Sequence, residues 1–300
     1  MRVRRSLIDL DDLTAEEIAH VFERTAQFER TAPEPLLRGV ACVNMFFEES
    51  TRTFTSFNLA ELRLGADVVN LAPKSLSLAS KGETLEDTAL TLGAMGICVV
   101  VVRHHEAGFP QRIALAFDGH VVNAGDGAHA HPTQALLDIY TLIEEFGELR
   151  DRTVAIVGDV LHSRVAHSTI RGLRRLGASV ILVGPEEFLP DGYADEGVAV
   201  EREFDRALPQ VDAIVLLRIQ RERFAEMPIS DEQYVRAYRL DHRRLGLLRK
   251  DAIVMHPGPY NRGMELDDSV LEYAGWRYAR QVYHGVAIRM AVLDLLVNAR

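Results

Sequence analysis

The stretch "GVACVNMFFEESTRTFTSFNLAELRLG", residues 39–65, changes from one periodicity to another across a single turn. Its opening "GVACVNMFF" is a short apolar run of strand length. Its close, "TSFNLAELRLG", puts Phe57, Ala60 and Leu64 on one helical face. Strand, turn and helix in that order make one βα step of a parallel sheet. The turn itself carries Ser50, Thr51, Arg52 and Thr53 in a row. It falls where free backbone N–H groups and the helix dipole favour an anion. One Ser or Thr is explained as an N-cap. An Arg flanked by three hydroxyls is not, and phosphate binding is the expected role of the turn.

The same pattern extends outward. Thr14 and Glu17 form a capping box ahead of Ile18, Val21, Phe22 and Ala26, which marks an opening helix. The runs "ADVVNLA" (66–72), "GICVVVVR" (96–103) and "HVVNAGD" (120–126) read as buried strands, with "GETLEDTALTLGAMG" (82–96) as a helix among them. A long helix is expected from Pro132 to Phe146, ending at Gly147. The pattern then restarts. "TVAIVGDV" (153–160), "SVILVGP" (179–185), "VDAIVLL" (211–217) and "AIVMHP" (252–257) are strands, "SRVAHSTIRGLRRLG" (163–177) is a helix, and "GVAIRMAVLDLLVNA" (285–299) is an amphipathic helix. The expected fold is α/β, with two domains that are each a mostly parallel sheet flanked by helices. Ligands are expected in the cleft between the domains. The expected division is residues 1–131 with the C-terminal helix 285–300, a connecting helix at 132–147, and a second domain at 148–284.

Bulk properties narrow the partners. Three hundred residues suit two domains, and 47% apolar with 26% charged residues is the profile of a globular chain. A net charge of −10 argues against a nucleic-acid or anionic-membrane binder, which needs a broad basic surface. It leaves room for a small anionic ligand if the cations are gathered locally. Cys42 and Cys98 sit in apolar runs and read as buried core thiols rather than a disulfide framework. The N-terminus has no apolar h-region, and no apolar run approaches the roughly 20 residues that span a bilayer, so a cytoplasmic chain is expected.

Other polar clusters carry weaker signals. Ser75, Ser77, Ser80 and Lys81 form a polar loop without P-loop spacing. Arg103 follows a strand and precedes His104 and His105, while His129 and His131 precede the long helix. These histidines lack zinc-site spacing, so no metal is expected. A neutral histidine donating to a polarised oxygen is the better functional reading, and a surface position remains the plain alternative for His104, His105 and His129. Arg164 opens a helix after one strand of the second half, and Arg218 and Gln220 follow another. Two guanidiniums at one sheet edge could clamp a dicarboxylate. There is no G-x-G-x-x-G and no G-x-S-x-G.

Taken in order, "STRT", "SKGETL", "RHHEAG", "HPTQALLD", "GDVLHSRVAHS", "RIQRER" and "HPGPYNRGMEL" resemble the catalytic chains of the aspartate carbamoyltransferase family over nearly the whole sequence. The resemblance implies transfer of the carbamoyl group of carbamoyl phosphate to L-aspartate, in pyrimidine biosynthesis, with no cofactor. It implies that Ser50, Thr51, Arg52 and Thr53 hold the phosphate and that Arg103 reaches phosphate and carbonyl oxygen. Thr53 and His131 would donate to that oxygen, and Gln134 would bind the carbamoyl amide. Arg164, Arg218 and Gln220 would hold the aspartate carboxylates, with backbone contacts to its amino group at Pro257 and Gly258. Ser77 and Lys81 match loop residues that enter a neighbouring subunit's site, Lys81 touching both substrates, so a homotrimer with shared sites is implied. Association with a regulatory chain or dihydroorotase is left open. Glu48, Arg164 and Arg223 look similar to residues that bridge the domains on closure.

Two positions depart from the family pattern. Phe54 and Asn58 stand where an Arg and a Glu are usual, and this reads as an ion pair replaced by a less polar contact. Two rival functions are weighed. The ornithine-specific branch typically carries H-P-C-Q and H-C-L-P, where this chain has "HPTQ" and "HPGP". A non-catalytic assembly subunit would have lost several ligand-contacting side chains.

Overall fold

The structure is a computed structural model that describes residues 5–72, 82–193, 197–224 and 226–298. It divides into two compact units, residues 1–137 with 282–300, and residues 138–281. Unit 1 holds a parallel sheet of β1 (Ala41–Phe46), β2 (Asp67–Leu71), β3 (Ile97–His104) and β4 (His120–Asp126), in the order β2-β1-β3-β4. Its helices are α1 (Ala15–Arg30), α2 (Thr51–Arg63), α3 (Leu85–Ala94) and α4 (Phe109–Ala116). Val43, Met45, Val100, Val102 and Val121 on one sheet face pack with Leu85 and Ala89 of α3 and Phe109 and Ile113 of α4. Asn44 on β1 meets Glu61 of α2, which places α2 against the opposite face.

Unit 2 holds a parallel sheet of β5 (Thr153–Val157), β6 (Ser179–Val183), β7 (Ala199–Glu201), β8 (Ala213–Leu216) and β9 (Ile253–Met255), in the order β7-β6-β5-β8-β9. Its core joins Val157, Val183, Phe188, Phe204, Ile214, Leu216, Tyr234 and Val254. α5 (Pro132–Phe146) and α8 (Tyr278–Asn298) each contribute residues to both units, while α6 (Arg164–Arg175) and α7 (Asp231–Tyr238) lie within unit 2. No helix among the described residues is long and apolar enough to cross a membrane.

Strand order reverses between β1 and β3 in unit 1, and between β5 and β8 in unit 2. In an open α/β sheet, ligands bind outside the carboxyl ends of the strands at such a reversal. Two sequence expectations change. β2 is an edge strand with Asp67, Val69 and Asn70 exposed, because it has a neighbour on one side only. Cys42 is buried but Cys98, near the start of β3, is partly exposed, and both thiols are free.

Candidate active site

In unit 1, the carboxyl ends of β1 and β3 lie side by side, with Phe46 opposite Arg103 and the Phe47 N–H donating to the Arg103 carbonyl at 2.9 Å. The chain then turns through Ser50 into α2, and the Ser50 side chain makes no cap. That sets α2 apart. α1, α3, α6 and α7 are capped by Thr14, Thr84, Ser163 and Ser230. The first hydrogen bond of α2 runs from the Phe54 N–H to the Ser50 carbonyl at 3.0 Å, so the amides of Thr51, Arg52 and Thr53 precede the ladder. Among the described residues, the side chains of Ser50, Thr51 and Arg52 have no hydrogen bond or ion pair. An uncapped helix start with idle donors beside it is chemically an anion seat. The capping explanation of these hydroxyls therefore fails for Ser50.

Arg103 sits where the β3–β4 register shifts, between Val102 opposite Asn123 and His104 opposite Asp126. Such an irregularity re-aims a side chain. Arg103 Nη1 donates to the Ala124 carbonyl at 3.3 Å, and Nε lies 3.3 Å from Glu48 Oε2. Glu48 thus pairs with Arg103 inside unit 1.

After β4 the chain loops to His131 and Gln134 at the start of α5, both buried. The His131 carbonyl accepts from the Gln134 and Ala135 amides, each at 3.1 Å. Sequence reading passed over the residue that shapes this loop. Asp126, fully buried, accepts from the Gly108 amide at 2.8 Å, the Ala130 amide at 3.1 Å and Asn123 Nδ2 at 2.7 Å, and it contacts His129 Nδ1 at 3.0 Å. The available signal was "GDG", where Gly125 and Gly127 both take positive φ around an acid. His104 is not at the surface. It stacks on Phe109 at 3.7 Å and accepts from the Glu106 amide at Nδ1, and burial holds its pKa down at about 4, so it is neutral.

Phe54 and Asn58 do not simply replace a pair with one apolar contact. Phe54 meets Phe46 edge-on at 5.2 Å and lines a cavity of about 610 Å³ beside Ser50 and Thr51. Asn58 donates to the Phe54 carbonyl at 3.1 Å and accepts from Asn70 at 2.8 Å. The chain continues through Asn44, which donates to Asn70 at 3.1 Å and to Glu61 at 2.7 Å. Glu61 is fully buried, and desolvation raises its pKa to about 7.

In unit 2, β5 leads through Gly158 to Asp159, a fully buried carboxylate. Asp159 accepts from the Gln220 amide at 3.0 Å and the His162 amide at 3.2 Å, and contacts His162 Nδ1 at 2.9 Å. Gln220 Nε2 returns a bond to the His162 carbonyl at 2.8 Å. The loops after β5 and β8 are thereby latched together at the strand-order reversal. Ser163 caps α6 through the Ala166 amide at 3.2 Å, leaving Arg164 buried at the first helical position. Arg218 forms a two-pronged pair with Glu222, four residues on. That pairing raises the guanidinium's already high pKa further and orients it. Pro257 and Gly258 follow β9, the neighbour of β8, on the same carboxyl edge.

Thus Ser50, Thr51, Arg52, Thr53, Arg103, His131 and Gln134 gather at the carboxyl edge of the first sheet. Arg164, Arg218, Gln220, Pro257 and Gly258 gather at that of the second. Ser77 and Lys81, with Ser75 and Ser80, lie outside the described residues.

Residues 5–144 match the family Aspartate/ornithine carbamoyltransferase, carbamoyl-P binding domain, and residues 150–296 match Aspartate/ornithine carbamoyltransferase, Asp/Orn binding domain. The chain is 50% identical to an aspartate carbamoyltransferase catalytic subunit of Acidothermus cellulolyticus, over 98% of this chain and 93% of that one. It is 46% identical to another from Bradyrhizobium diazoefficiens, over 98% and 95%. Among solved structures, aspartate transcarbamoylase from Trypanosoma cruzi in complex with carbamoyl aspartate and phosphate superposes with a TM-score of 0.88 at 32% identity, covering 96% of this chain and 94% of that one. The catalytic subunit of M. Jannaschii aspartate transcarbamoylase gives 0.86 at 30% identity, covering 98% of each. With both halves matched and its full length aligned to close relatives, this chain belongs to the aspartate/ornithine carbamoyltransferase family.

Proposed function

We infer that this chain transfers the carbamoyl group of carbamoyl phosphate to the amino group of L-aspartate, giving N-carbamoyl-L-aspartate and phosphate. By that reaction it serves pyrimidine biosynthesis. The observation that carries the reading is the uncapped start of α2, with Ser50, Thr51 and Arg52 idle and Arg103 on the adjoining strand. Ser50, Thr51, Arg52 and Thr53 hold the phosphate. Arg103, Thr53 and His131 donate to the carbonyl oxygen, and Gln134 takes the carbamoyl amide. Arg164, Arg218 and Gln220 hold the two carboxylates of aspartate, and the backbone carbonyls at Pro257 and Gly258 accept from its amino group. Ser77 and Lys81 reach phosphate, and Lys81 also aspartate, from a neighbouring subunit.

Chemically, the aspartate amine attacks the carbamoyl carbon and negative charge grows on the carbonyl oxygen. The C–O bond to phosphate then breaks. Each well-placed donor to that oxygen contributes on the order of 3 kcal/mol to the transition state. Arg52 and Lys81 stabilise the departing phosphate, and holding both reactants in place supplies the proximity term. The leaving phosphate is a suitable acceptor for the amine's proton.

The working assembly is a homotrimer with shared sites. Exposed Leu59 and Leu62 on α2 are apolar groups suited to a subunit contact. The relatives are named catalytic subunits, which fits a further partner chain. The free thiols Cys42 and Cys98 suit a reducing, cytoplasmic compartment. A side-by-side assay with aspartate and ornithine tests the substrate. Carbamoyl transfer to aspartate is expected, and product with ornithine alone overturns the reading.

A further inference from the structure

We propose that His256, held from behind by Glu265, is a positioning residue that aims the Pro257 carbonyl at the amino group of the acceptor amino acid. The inference rests on the carbamoyl-transfer reading above. His256 follows β9 and is 1% exposed. The Gly258 N–H donates to His256 Nδ1 at 2.8 Å, so that nitrogen must carry a lone pair and the ring proton must sit on Nε2. Nε2 lies 3.2 Å from Oε1 of Glu265, itself 1% exposed. The same oxygen accepts from the Asn261 amide at 2.6 Å. One carboxylate therefore fixes the tautomer of the histidine and the far end of the turn that the histidine holds.

The direction follows from peptide geometry. The bond between Pro257 and Gly258 is trans, the cis bond being Gly258–Pro259. In a planar trans peptide the C=O and the N–H point opposite ways. Drawing the Gly258 N–H inward to His256 therefore turns the Pro257 carbonyl outward. The base of this lever is fixed too. The His256 amide donates to Gln281 Oε1 at 2.9 Å, and Gln281 Nε2 donates to Asp138 Oδ1 at 2.7 Å, with both Gln281 and Asp138 buried. Gly258 has φ +69°, which favours glycine, so the turn depends on the backbone as well as on the ring. A buried polar chain of this kind, ending on a substrate-facing carbonyl, orients the acceptor rather than taking part in bond making.

Two substitutions separate aiming from mere support. His256→Asn keeps an amide oxygen near the place of Nδ1 and can still receive the Gly258 N–H. His256→Gln reaches toward Glu265 and offers no acceptor at Nδ1. The expected result is a KM for aspartate at least about tenfold higher in the Gln variant than in the Asn variant, with inorganic phosphate binding within about twofold of wild type in both. Equal KM values in the two active variants overturn the proposal. Should neither variant fold, the ¹⁵N spectrum of the histidine-labelled wild-type protein decides. A neutral His256 ring with its proton on Nε2 supports it, and a neutral ring with its proton on Nδ1 overturns it. Wild-type protein that fails to carbamoylate aspartate retires the functional reading instead, which separates the two failures.

Discussion

At the scale of single residues, position rather than type decides what a charged group does. Arg52 has no partner among the described residues, whereas Arg244 is buried and fully engaged by Asp205 and by the carbonyls of Arg236 and Arg239. Arg52→Ala should therefore lower kcat/KM for carbamoyl phosphate by roughly a hundredfold to a thousandfold while leaving the urea midpoint in place. Glu61 behaves oppositely. Its folded pKa of about 7 lies above its ordinary 4.5, so the folded chain binds more protons than the unfolded chain between those values. Stability should be fully present below about 4.5, fall as pH rises, and level off above about 7. Glu61→Gln should flatten that slope and gain on the order of 3 kcal/mol at alkaline pH, read by urea titration across pH. An unchanged slope would contradict the burial of this carboxyl.

At the scale of elements, the two loops of unit 2 that leave β5 and β8 act as one piece because Asp159 bonds to both. Asp159→Ala strands the Gln220 amide and the His162 ring, so the KM for aspartate should rise at least about tenfold with carbamoyl phosphate binding unaffected. Gly158 serves the same junction. It has φ +119°, and a Cβ there would stand 2.8 Å from the Leu217 carbonyl oxygen. Gly158→Ala should cost about 2 to 4 kcal/mol and weaken aspartate binding by pushing the β5 loop away from β8, as measured by denaturation and by initial rates.

At the scale of the whole molecule, a chain with net charge −10 places Arg52 and Arg103 at the carboxyl edge of one sheet and Arg164 and Arg218 at that of the other, where anions are wanted. The proposed shared-site trimer has a direct consequence. Arg52→Ala and Lys81→Ala protomers, each inactive alone, should regain activity when dissociated, mixed and reassembled, because some sites then receive both intact side chains. Assays that stay dead after verified mixing would place Lys81 and Arg52 in the same chain's site. Sedimentation of the wild-type protein should show a trimer or a multiple of it.

The alternation of apolar runs and helical faces was enough to specify two parallel α/β sheets, because periods of 2 and 3.6 are local properties that a chain displays in its own order. The Ser50–Thr53 turn was legible for the same reason, since a strand end, hydroxyls, an Arg and a helix start are contiguous. Contacts between distant residues were not legible. That Asp126 reaches the Gly108 amide, that Asp159 joins two loops and that Glu61 lies buried under Asn44 all depend on strand order and register. These bring together groups far apart in the chain, and their desolvation and hydrogen bonding exist only once the backbone has closed around them.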